Sequence, residues 1–440
     1  MLVVETPKEG ETIMSVLKAI SWVIAALFFV CYLYQFLYIP AALTLKDQPH
    51  GAKKLHRYAI LICARNEQAV IADLLRSIRG QTYPQALLEV FVMADNCTDR
   101  TAAIAQMCGA TVYERENHDL VGKGYALEAL LEHIRADRPN GFDGYFVFDA
   151  DNVLAPDYIE QMNATFSDGY SIVTSYRNSK NYGDNWISAG YALWFLRESQ
   201  YLNRARMRLG TSCAVSGTGF LFSQSVLDAT DGWRFHLLTE DIEFSVHHIL
   251  RGETIGYCEA AELYDEQPTS FRQSWRQRMR WSKGYLQVFQ TRGKDLLRAA
   301  LDADFAAFDM SMAIMPAFVL SVTGMLVELA MIVLGLAQGG GVLAALTALG
   351  RMFGSMYLTL LVLGGITTVT EWRHIHTTAE KKIRYLLTFP LFMFTYLPIS
   401  VAALFARVEW KPITHSVPAT ALEQELRVPK RAIPAERRSA

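Results

Sequence analysis

At 440 residues the chain exceeds one typical domain, and its 51% hydrophobic content excludes an ordinary water-soluble protein, while its 20% of charged side chains excludes one sunk wholly in lipid. A net charge of −2 at pH 7 excludes the basic surface that general nucleic-acid binding needs. Six cysteines (Cys31, Cys63, Cys97, Cys108, Cys213 and Cys258) form no C-x-x-C pair and sit mostly in apolar stretches, which indicates reduced thiols in a cytoplasmic domain and argues against zinc.

After a short N-terminal tail (1–15), residues 16–39 are apolar apart from Lys18, Ser21 and Gln35, long enough to cross a hydrocarbon core. Glu5, Glu9 and Glu11 precede this run and no small-residue cleavage site follows it, so a transmembrane helix is expected rather than a signal peptide. Lys46, Lys53, Lys54 and Arg57 come next, and by the positive-inside rule the following domain is cytoplasmic. Residues 56–265 read as alternating strands and helices: strands at 58–64, 88–94 and 145–149, and helices at 68–79 and 99–108. This alternation predicts a parallel, doubly wound α/β sheet, whose ligands bind beyond the carboxyl ends of the strands. Residues 266–300 form basic amphipathic helices at the membrane surface.

Apolar runs return at 311–337, 343–370 and 385–406, predicting about three more membrane helices, with a turn at Gly339–Gly341 between the first two. Arg373, Lys381, Lys382 and Arg384 make the next connection cytoplasmic. Simple counting then puts the polar tail, 407–440, outside, against its own positive charge. A re-entrant or kinked last run, broken by Pro390 and Pro398, would remove the conflict.

The chemistry-bearing residues follow the strands. Arg65 and Glu67 come directly after the first strand, where a polar turn is the simpler reading. Asp95 ends the second strand and can accept hydrogen bonds from a nucleobase or ribose, whereas Asp99 reads as a helix cap. Lys123 lies between Gly122 and Gly124, a setting that suits a phosphate contact or simply a solvated turn. Asp149 and Asp151 emerge on the same side at the end of an aromatic-rich strand. Their mutual repulsion calls for a cation, and oxygen ligands favour Mg²⁺ or Mn²⁺. Glu240 and Asp241 open an amphipathic helix carrying Ile242, Val246 and Ile249. The helix dipole accounts for both acids, and Asp241 is also placed to act as a general base. Gln277, Arg280 and Trp281 fall at i, i+3 and i+4, on one helix face. Arg280 can fork onto a diphosphate and Trp281 can carry a sugar ring. Arg272, Arg276, Arg278 and Lys283 on the same segment suit lipid headgroups.

Taken together, Asp95, Asp149-Ala-Asp151, Thr239-Glu240-Asp241 and Gln277-Arg-Met-Arg280-Trp281 resemble the processive family-two glycosyltransferases, the cellulose, hyaluronan, chitin and poly-N-acetylglucosamine synthases, in order and spacing over residues 58 to 290. The resemblance implies a GT-A catalytic domain, a Rossmann-like, doubly wound mixed sheet joined to α-helical transmembrane segments. It also implies a UDP-sugar donor, UDP-glucose or UDP-N-acetylglucosamine, and inversion at the anomeric carbon. It assigns Asp95 to the uridine, Asp149 and Asp151 to diphosphate and metal, and Asp241 to the base. Gln277, Arg280 and Trp281 go to the diphosphate and acceptor mouth, Arg65 and Glu67 to the nucleotide, Lys123 to the diphosphate and Ser216-Gly217-Thr218-Gly219 to the acceptor pocket. Thr-Glu-Asp is the form seen in cellulose and poly-N-acetylglucosamine synthases. Two features depart from the pattern: only one span precedes the catalytic domain, and Trp410-Lys411-Pro412-Ile413-Thr414-His415 has no close match among these synthases and either gates the site or merely leaves the membrane.

The expected activity is a metal-dependent extension of a β-linked polysaccharide at the cell membrane, with translocation through the chain's own spans as a further expectation. Tyr182, Trp186, Tyr191 and Trp194 are candidates for a glycan-lining groove, although core packing of a long helix explains each as well. Ceramide glucosyltransferases carry a similar motif set, so a glycolipid product, on ceramide or diacylglycerol, is the alternative. An inactive scaffold or translocation subunit is the reading from another class. The partners are then a UDP-sugar, a glycan or lipid acceptor and membrane lipids, with no nucleic acid, and an oligomer is compatible with the sequence. A nicotinamide dehydrogenase is disfavoured, because no G-x-G-x-x-G follows the first strand.

Overall fold

The apolar runs between turn signals become the strands of one eight-stranded sheet. In the computed structural model, which describes residues 9–46, 50–51, 53–314, 316–339, 341–410 and 415, these are β1 (Tyr58–Ala64), β2 (Leu88–Asp95), β3 (Thr111–Arg115), β4 (Gly144–Asp149), β5 (Val153–Leu154), β6 (Ile172–Ser179), β7 (Phe220–Ser223) and β8 (Ile255–Asp265). Neighbours run β3-β2-β1-β4-β7-β6-β8-β5. The half from β3 to β4 is parallel, as the alternation of strands and helices requires. The other half departs from the all-parallel expectation: β7 is antiparallel to both β4 and β6, and β5 is antiparallel to β8. The chain enters β7 through Gly217 and Gly219 at φ 72° and 66°, a left-handed pair that turns it into the sheet against its neighbours. The sheet is therefore mixed.

Both sheet faces are covered. Ala59 and Leu61 of β1 and Tyr145 and Val147 of β4 point into one core, while Ile60, Ile62, Phe146 and Phe148 point into the other. The first core is closed by α4 (Lys123–Asp137), α6 (Trp186–Arg197) and α9 (Glu240–Ile249). The second is closed by α2 (Ile71–Arg79), α3 (Thr101–Met107) and α5 (Tyr158–Ser167). Strands buried on both sides must be apolar at every position, which is why they read as unbroken runs. Two short helices, α7 (Arg204–Leu209) and α8 (Gln224–Ala229), flank β7 in sequence.

Outside the sheet, α1 (Glu9–Thr44) precedes the catalytic region. After it come α10 (Phe271–Leu301), α11 (Phe305–Ile314), α12 (Pro316–Ala337), α13 (Val342–Thr370), α14 (Ala379–Phe394) and α15 (Tyr396–Phe405). Among the described residues, four segments are long and apolar enough to cross a membrane: Gly10–Thr44, Val319–Ala337, Val342–Thr370 and Ala379–Phe405. Gln338, at the turn after α12, packs so closely on Gly10 that a Cβ there would stand 2.3 Å from its Nε2, so the start of α1 and the α12–α13 turn lie together. The connection after α13 returns to the catalytic domain, where Asn178 Nδ2 donates to the His374 carbonyl at 2.8 Å and Tyr176 bonds Glu371.

The last apolar run breaks at Thr395, and both halves stay against the catalytic side. Lys381 Nζ donates to the Gly183 carbonyl at 2.8 Å near its start, and Lys283 Nζ to the Ala403 carbonyl at 3.2 Å near its end. Between them Arg278 is fully buried. Its Nη1 donates to Thr395 Oγ1 at 2.6 Å, and its guanidinium lies 4.4 Å from the Phe392 ring and 4.8 Å from that of Tyr396. This corrects the lipid-headgroup reading of Arg278 and Lys283, whose charges serve helix–helix packing; Arg272 and Arg276 are exposed. A second buried charge joins α1 and α11 to α7: Arg206 forks onto Asp309 at 2.7 and 3.1 Å, and the Tyr34 and Tyr38 hydroxyls donate to the same carboxylate at 2.6 and 2.8 Å.

Gly219→Ala tests the turn that sets the mixed sheet. A Cβ there would lie 1.9 Å from Leu263 Cδ2 on a backbone at φ 66°, so left-handed strain and overpacking together should cost about 2–5 kcal/mol. Thermal unfolding of the detergent-purified chain should show a clear drop in midpoint, whereas an unchanged midpoint would refute the close approach.

Candidate active site

The carboxyl ends of β1, β2 and β4 stand side by side, since Ala64 pairs with Ala94 and Cys63 with Asp149. Beyond them opens a cavity of about 670 Å³. The residues that the resemblance assigns to the donor, the metal, the base and the acceptor mouth line it: Arg65, Glu67, Asp95, Lys123, Asp149, Asp151, Glu240, Asp241, Gln277, Arg280 and Trp281, with Ser216 and Gly217 of the acceptor-pocket loop. The cleft is therefore assembled from six separate stretches of chain besides that loop.

The two loops that follow β1 and β2 are stitched together by their own polar side chains. Asn66, at φ 60°, accepts the Thr98 amide on Oδ1 at 2.8 Å, and the Glu67 amide donates to Thr101 Oγ1 at 2.8 Å. Asp99 accepts the Thr101 amide at 2.9 Å just ahead of α3, one residue before its N-cap position, Arg100. Asp95 is only 4% exposed and takes Arg115 Nη1 at 2.5 Å. Asn96, at φ 52°, exchanges hydrogen bonds with the Asn117 backbone at 2.8 and 2.9 Å and fixes the loop beside it.

Lys123 is not in a solvated turn. It is the first residue of α4, half-buried, with its Nζ donating to Asp149 Oδ1 and to the Gly217 carbonyl at 2.7 Å. Burial alone would lower its pKa, but Asp149 and Glu240 raise it, so the ammonium stays charged. Asp149 is held by its own amide, which donates to Thr218 Oγ1 at 2.9 Å and Asn152 Oδ1 at 3.0 Å. Asp151 accepts the Glu266 amide on Oδ2 at 2.7 Å. Burial alone would raise the Asp151 carboxyl, but His415, Lys180, the Glu266 amide and Arg177 hold it below the usual carboxylate value. One oxygen of Asp149 and one of Asp151 have no partner among the described residues. Two open carboxylate oxygens suit a divalent cation that takes its other ligands from phosphate and water; no cluster of three or more His, Cys, Asp or Glu forms a closed protein cage among the described residues.

Glu240 and Asp241 open α9 on the opposite wall. Burial and the neighbouring Asp241 push the Glu240 carboxyl up to about 7, against the pull of Lys123 and Arg280. Burial also raises Asp241. On α10, Arg280 Nη1 donates to the Leu238 carbonyl at 2.8 Å, Gln277 Oε1 is buried without a partner among the described residues, and Trp281 stands edge-on to Tyr191 and Phe195. The helical spacing brings all three into one wall.

The expected aromatic groove does not form. Tyr182 and Tyr191 are buried in packed clusters, Trp186 stacks on Phe271, and only Trp194 of the four reaches the cavity. The packing of a long helix between sheet and membrane helices takes precedence. The structure adds wall residues that the sequence does not single out. Arg177 donates to Asp265 at 2.6 Å and to the Ser216 carbonyl at 3.0 Å, and Glu198 stands at the start of a π-helical turn, Glu198–Asn203. Asp265 and Glu266 end β8 as Asp149 ends β4, so the same strand-end rule would have found them; Glu198 carries no local signal.

The chain beyond the last helix comes back to the site. Arg65 lies 5.4 Å from the Trp410 ring, and His415 Nδ1 meets both Glu67 oxygens at 3.0 Å. Burial alone would lower the His415 pKa, but Asp151, Glu67 and Glu266 push it up to about 10, which makes it a fixed cation. Residues 411–414, the rest of the suspected gate, lie outside the described residues.

In fold, the chain is similar to the mannosyltransferase PcManGT from Pyrobaculum calidifontis in complex with GDP-Man and Mn²⁺, with a TM-score of 0.56 and 17% identity over 88% of this chain and 99% of that one. Among curated proteins it is 26% identical over 236 residues to the beta-monoglucosyldiacylglycerol synthase of Synechocystis, covering 52% of this chain and 48% of that one. It is also 26% identical over 235 residues to the poly-beta-1,6-N-acetyl-D-glucosamine synthase of Staphylococcus epidermidis, covering 51% and 54%. The chain thus spans about half the length of the curated relatives it matches. The family described as glycosyltransferase like family 2 matches residues 56–284, the whole sheet and the helix face with Gln277, Arg280 and Trp281. Because that match takes in more than half of the chain, this protein belongs to the family 2 glycosyltransferases and carries their GT-A fold.

Proposed function

We propose that the chain transfers a sugar from a UDP-sugar, with inversion, to a hydroxyl group of a membrane lipid at the cytoplasmic face. One observation carries this reading: the cavity that holds the strand-end carboxylates continues without a break between the membrane helices, where its wall is Phe28, Met312, Ile314, Leu360, Leu363 and Met393. Such a wall suits hydrocarbon better than it suits a hydrated glycan.

Asp95, steadied by Arg115, takes the uridine, and Arg65 and Glu67 flank it. Lys123 and Arg280 neutralise the diphosphate. Asp149 and Asp151 would hold Mn²⁺ or Mg²⁺, whose charge lowers the cost of the departing diphosphate. Asp241 takes the proton of the acceptor hydroxyl as its oxygen bonds to the anomeric carbon from the face opposite the leaving group. The electron pair of the broken bond leaves with UDP. Gln277 and Trp281 bound the acceptor mouth.

The topology fits this arrangement. α1, α12 and α13 cross the bilayer, and α14–α15 re-enters and returns, so that His415 stays on the side of the site. That removes the conflict between helix count and tail charge, and it places Lys46, Lys53, Arg373 and Lys381 in the cytoplasm.

Polymer synthesis is the second reading. Trp194 and Trp281 both stand in the cavity wall and offer two flat faces to sugar rings. Incubation of the purified chain with radiolabelled UDP-glucose or UDP-N-acetylglucosamine, with Mn²⁺ or Mg²⁺, should give one organic-extractable glycolipid. A ladder of products would select the polymer, and no UDP release from any UDP-sugar would refute the donor assignment.

Asp241→Asn should lower turnover by about 10³-fold or more, the scale of a lost general base together with its charge. The pH profile supplies a second check. A raised carboxyl stays protonated, and useless as a base, over more of the acid range, so kcat/KM should climb as pH rises through the titration of the Glu240–Asp241 pair. Glu240→Gln removes a neighbouring negative charge and should move that limb to lower pH. A limb that stays in place would separate the two carboxylates.

A further inference from the structure

The cavity wall holds several arginines, and they differ in how their charge is met. Arg177 is answered by Asp265 and Arg206 by Asp309. Arg280 stands beside Glu240 and Asp241 at the diphosphate end, and Arg65 lies under Trp410. Arg197, the last residue of α6, is different. Its guanidinium lies in the wall on the membrane side, where Nη2 donates to Gln35 Oε1 of α1 at 3.1 Å and the group sits 5.4 Å from the Trp194 ring. Among the described residues it has no carboxylate within ion-pair distance, and the remaining N–H donors of the fork have no partner. Glu198, next in the chain, hydrogen-bonds Ser216 and spreads its charge over Arg177 and Arg197 without closing an ion pair with Arg197.

A guanidinium that lines a cavity with donors left over is a ready partner for an anion that forks onto it. Burial also holds the Arg197 pKa below the ordinary arginine value, which is the sign of a cation short of negative charge. Its position narrows the anion further. Gln35 belongs to a membrane helix, the apolar stretch of the cavity begins beside it with Tyr32 and Phe28, and Asp241 lines the same space on the other side. A molecule that fills the whole cavity therefore presents hydrocarbon to the helices, a negative group to Arg197 and a hydroxyl to Asp241.

We infer that the acceptor is an anionic lipid, a phosphodiester whose headgroup also bears a free hydroxyl, and that Arg197 with Gln35 binds its phosphate. This rests on the lipid-acceptor reading and sharpens it. A neutral diacylglycerol or ceramide would leave Arg197 unanswered, and a soluble phosphate would leave the apolar wall unfilled.

The test is equilibrium binding of radiolabelled dioleoyl phosphatidylglycerol and of dioleoylglycerol to the full-length chain in a nonionic detergent. The phosphatidylglycerol should bind about tenfold more tightly or better, the scale of a charge-assisted bidentate contact. Arg197→Gln should erase that preference, and Arg197→Lys, which keeps the charge without the fork, should retain part of it. Glycerol 3-phosphate should compete poorly. Equal binding of the two lipids by the unaltered chain, a preference that survives Arg197→Gln, or full competition by glycerol 3-phosphate would each overturn the inference. The unaltered chain decides the matter even if Arg197→Gln fails to fold. Should Arg197-dependent binding hold while no UDP-sugar is turned over, the transferase reading fails and the lipid site stands.

Discussion

The site is governed by carboxylate repulsion. Parallel strands bring Asp95 and Asp149 to one edge by register, Asp151 follows two residues later, and α9 delivers Glu240 and Asp241 from the facing wall. In a buried cleft these charges would drive the walls apart or force protons onto the acids. The protein answers locally: Arg115 meets Asp95, Lys123 meets Asp149 and His415 faces Asp151 and Glu67. Glu240 and Asp241 are answered least, by Lys123 and Arg280 at longer range, and both carboxyls are pushed up. Burial, with the added repulsion of Asp241 on Glu240, therefore raises the acids on the wall where the proposed chemistry needs a proton acceptor.

The same constraint explains the junction with the membrane helices. α10 forms the wall of the cleft where the cavity passes from the strand ends toward the apolar helices. Its hold on α14–α15 is a buried guanidinium, Arg278, ringed by Phe392, Tyr396 and Tyr191. Arg206 and Asp309, with Tyr34 and Tyr38, do the same for α1 and α11. Arg206–Asp309 is a buried ion pair, which adds little net stability but tolerates no shift in register, since losing one partner strands a charge; Arg278 is held instead by Thr395 and the surrounding rings. They fix the helix bearing Gln277, Arg280 and Trp281 against the rest of the cleft.

What could be read from the sequence is what local rules control. β1, β2 and β4 stand out as unbroken apolar runs because both their faces are buried, and an acid at the end of such a run has nowhere to go but the cleft. Gln277, Arg280 and Trp281 share a face by helical geometry alone. The antiparallel β7 was hidden because two glycines decide its direction, not its own four residues. Arg177 and Asp265 are 88 positions apart and meet only in the folded sheet. Tyr182, Tyr191 and Arg278 misled for a related reason: an aromatic or basic side chain on a helix reads the same whether it faces a ligand, lipid or another helix, and only tertiary packing decides.

The two ends of the cavity differ in how they are reached. Trp410 over Arg65 and His415 on Glu67 cover the strand-end side with residues from beyond the last helix, while the other end lies between helices whose outer faces are apolar. On the proposed reading a charged, water-soluble donor enters where the covering contacts are an ion pair and a ring face, both of which water can replace. An amphiphilic acceptor enters sideways from the bilayer, without its hydrocarbon ever meeting water. The reacting hydroxyl then approaches Asp241 from a direction that the diphosphate does not occupy, which is the geometry inversion requires.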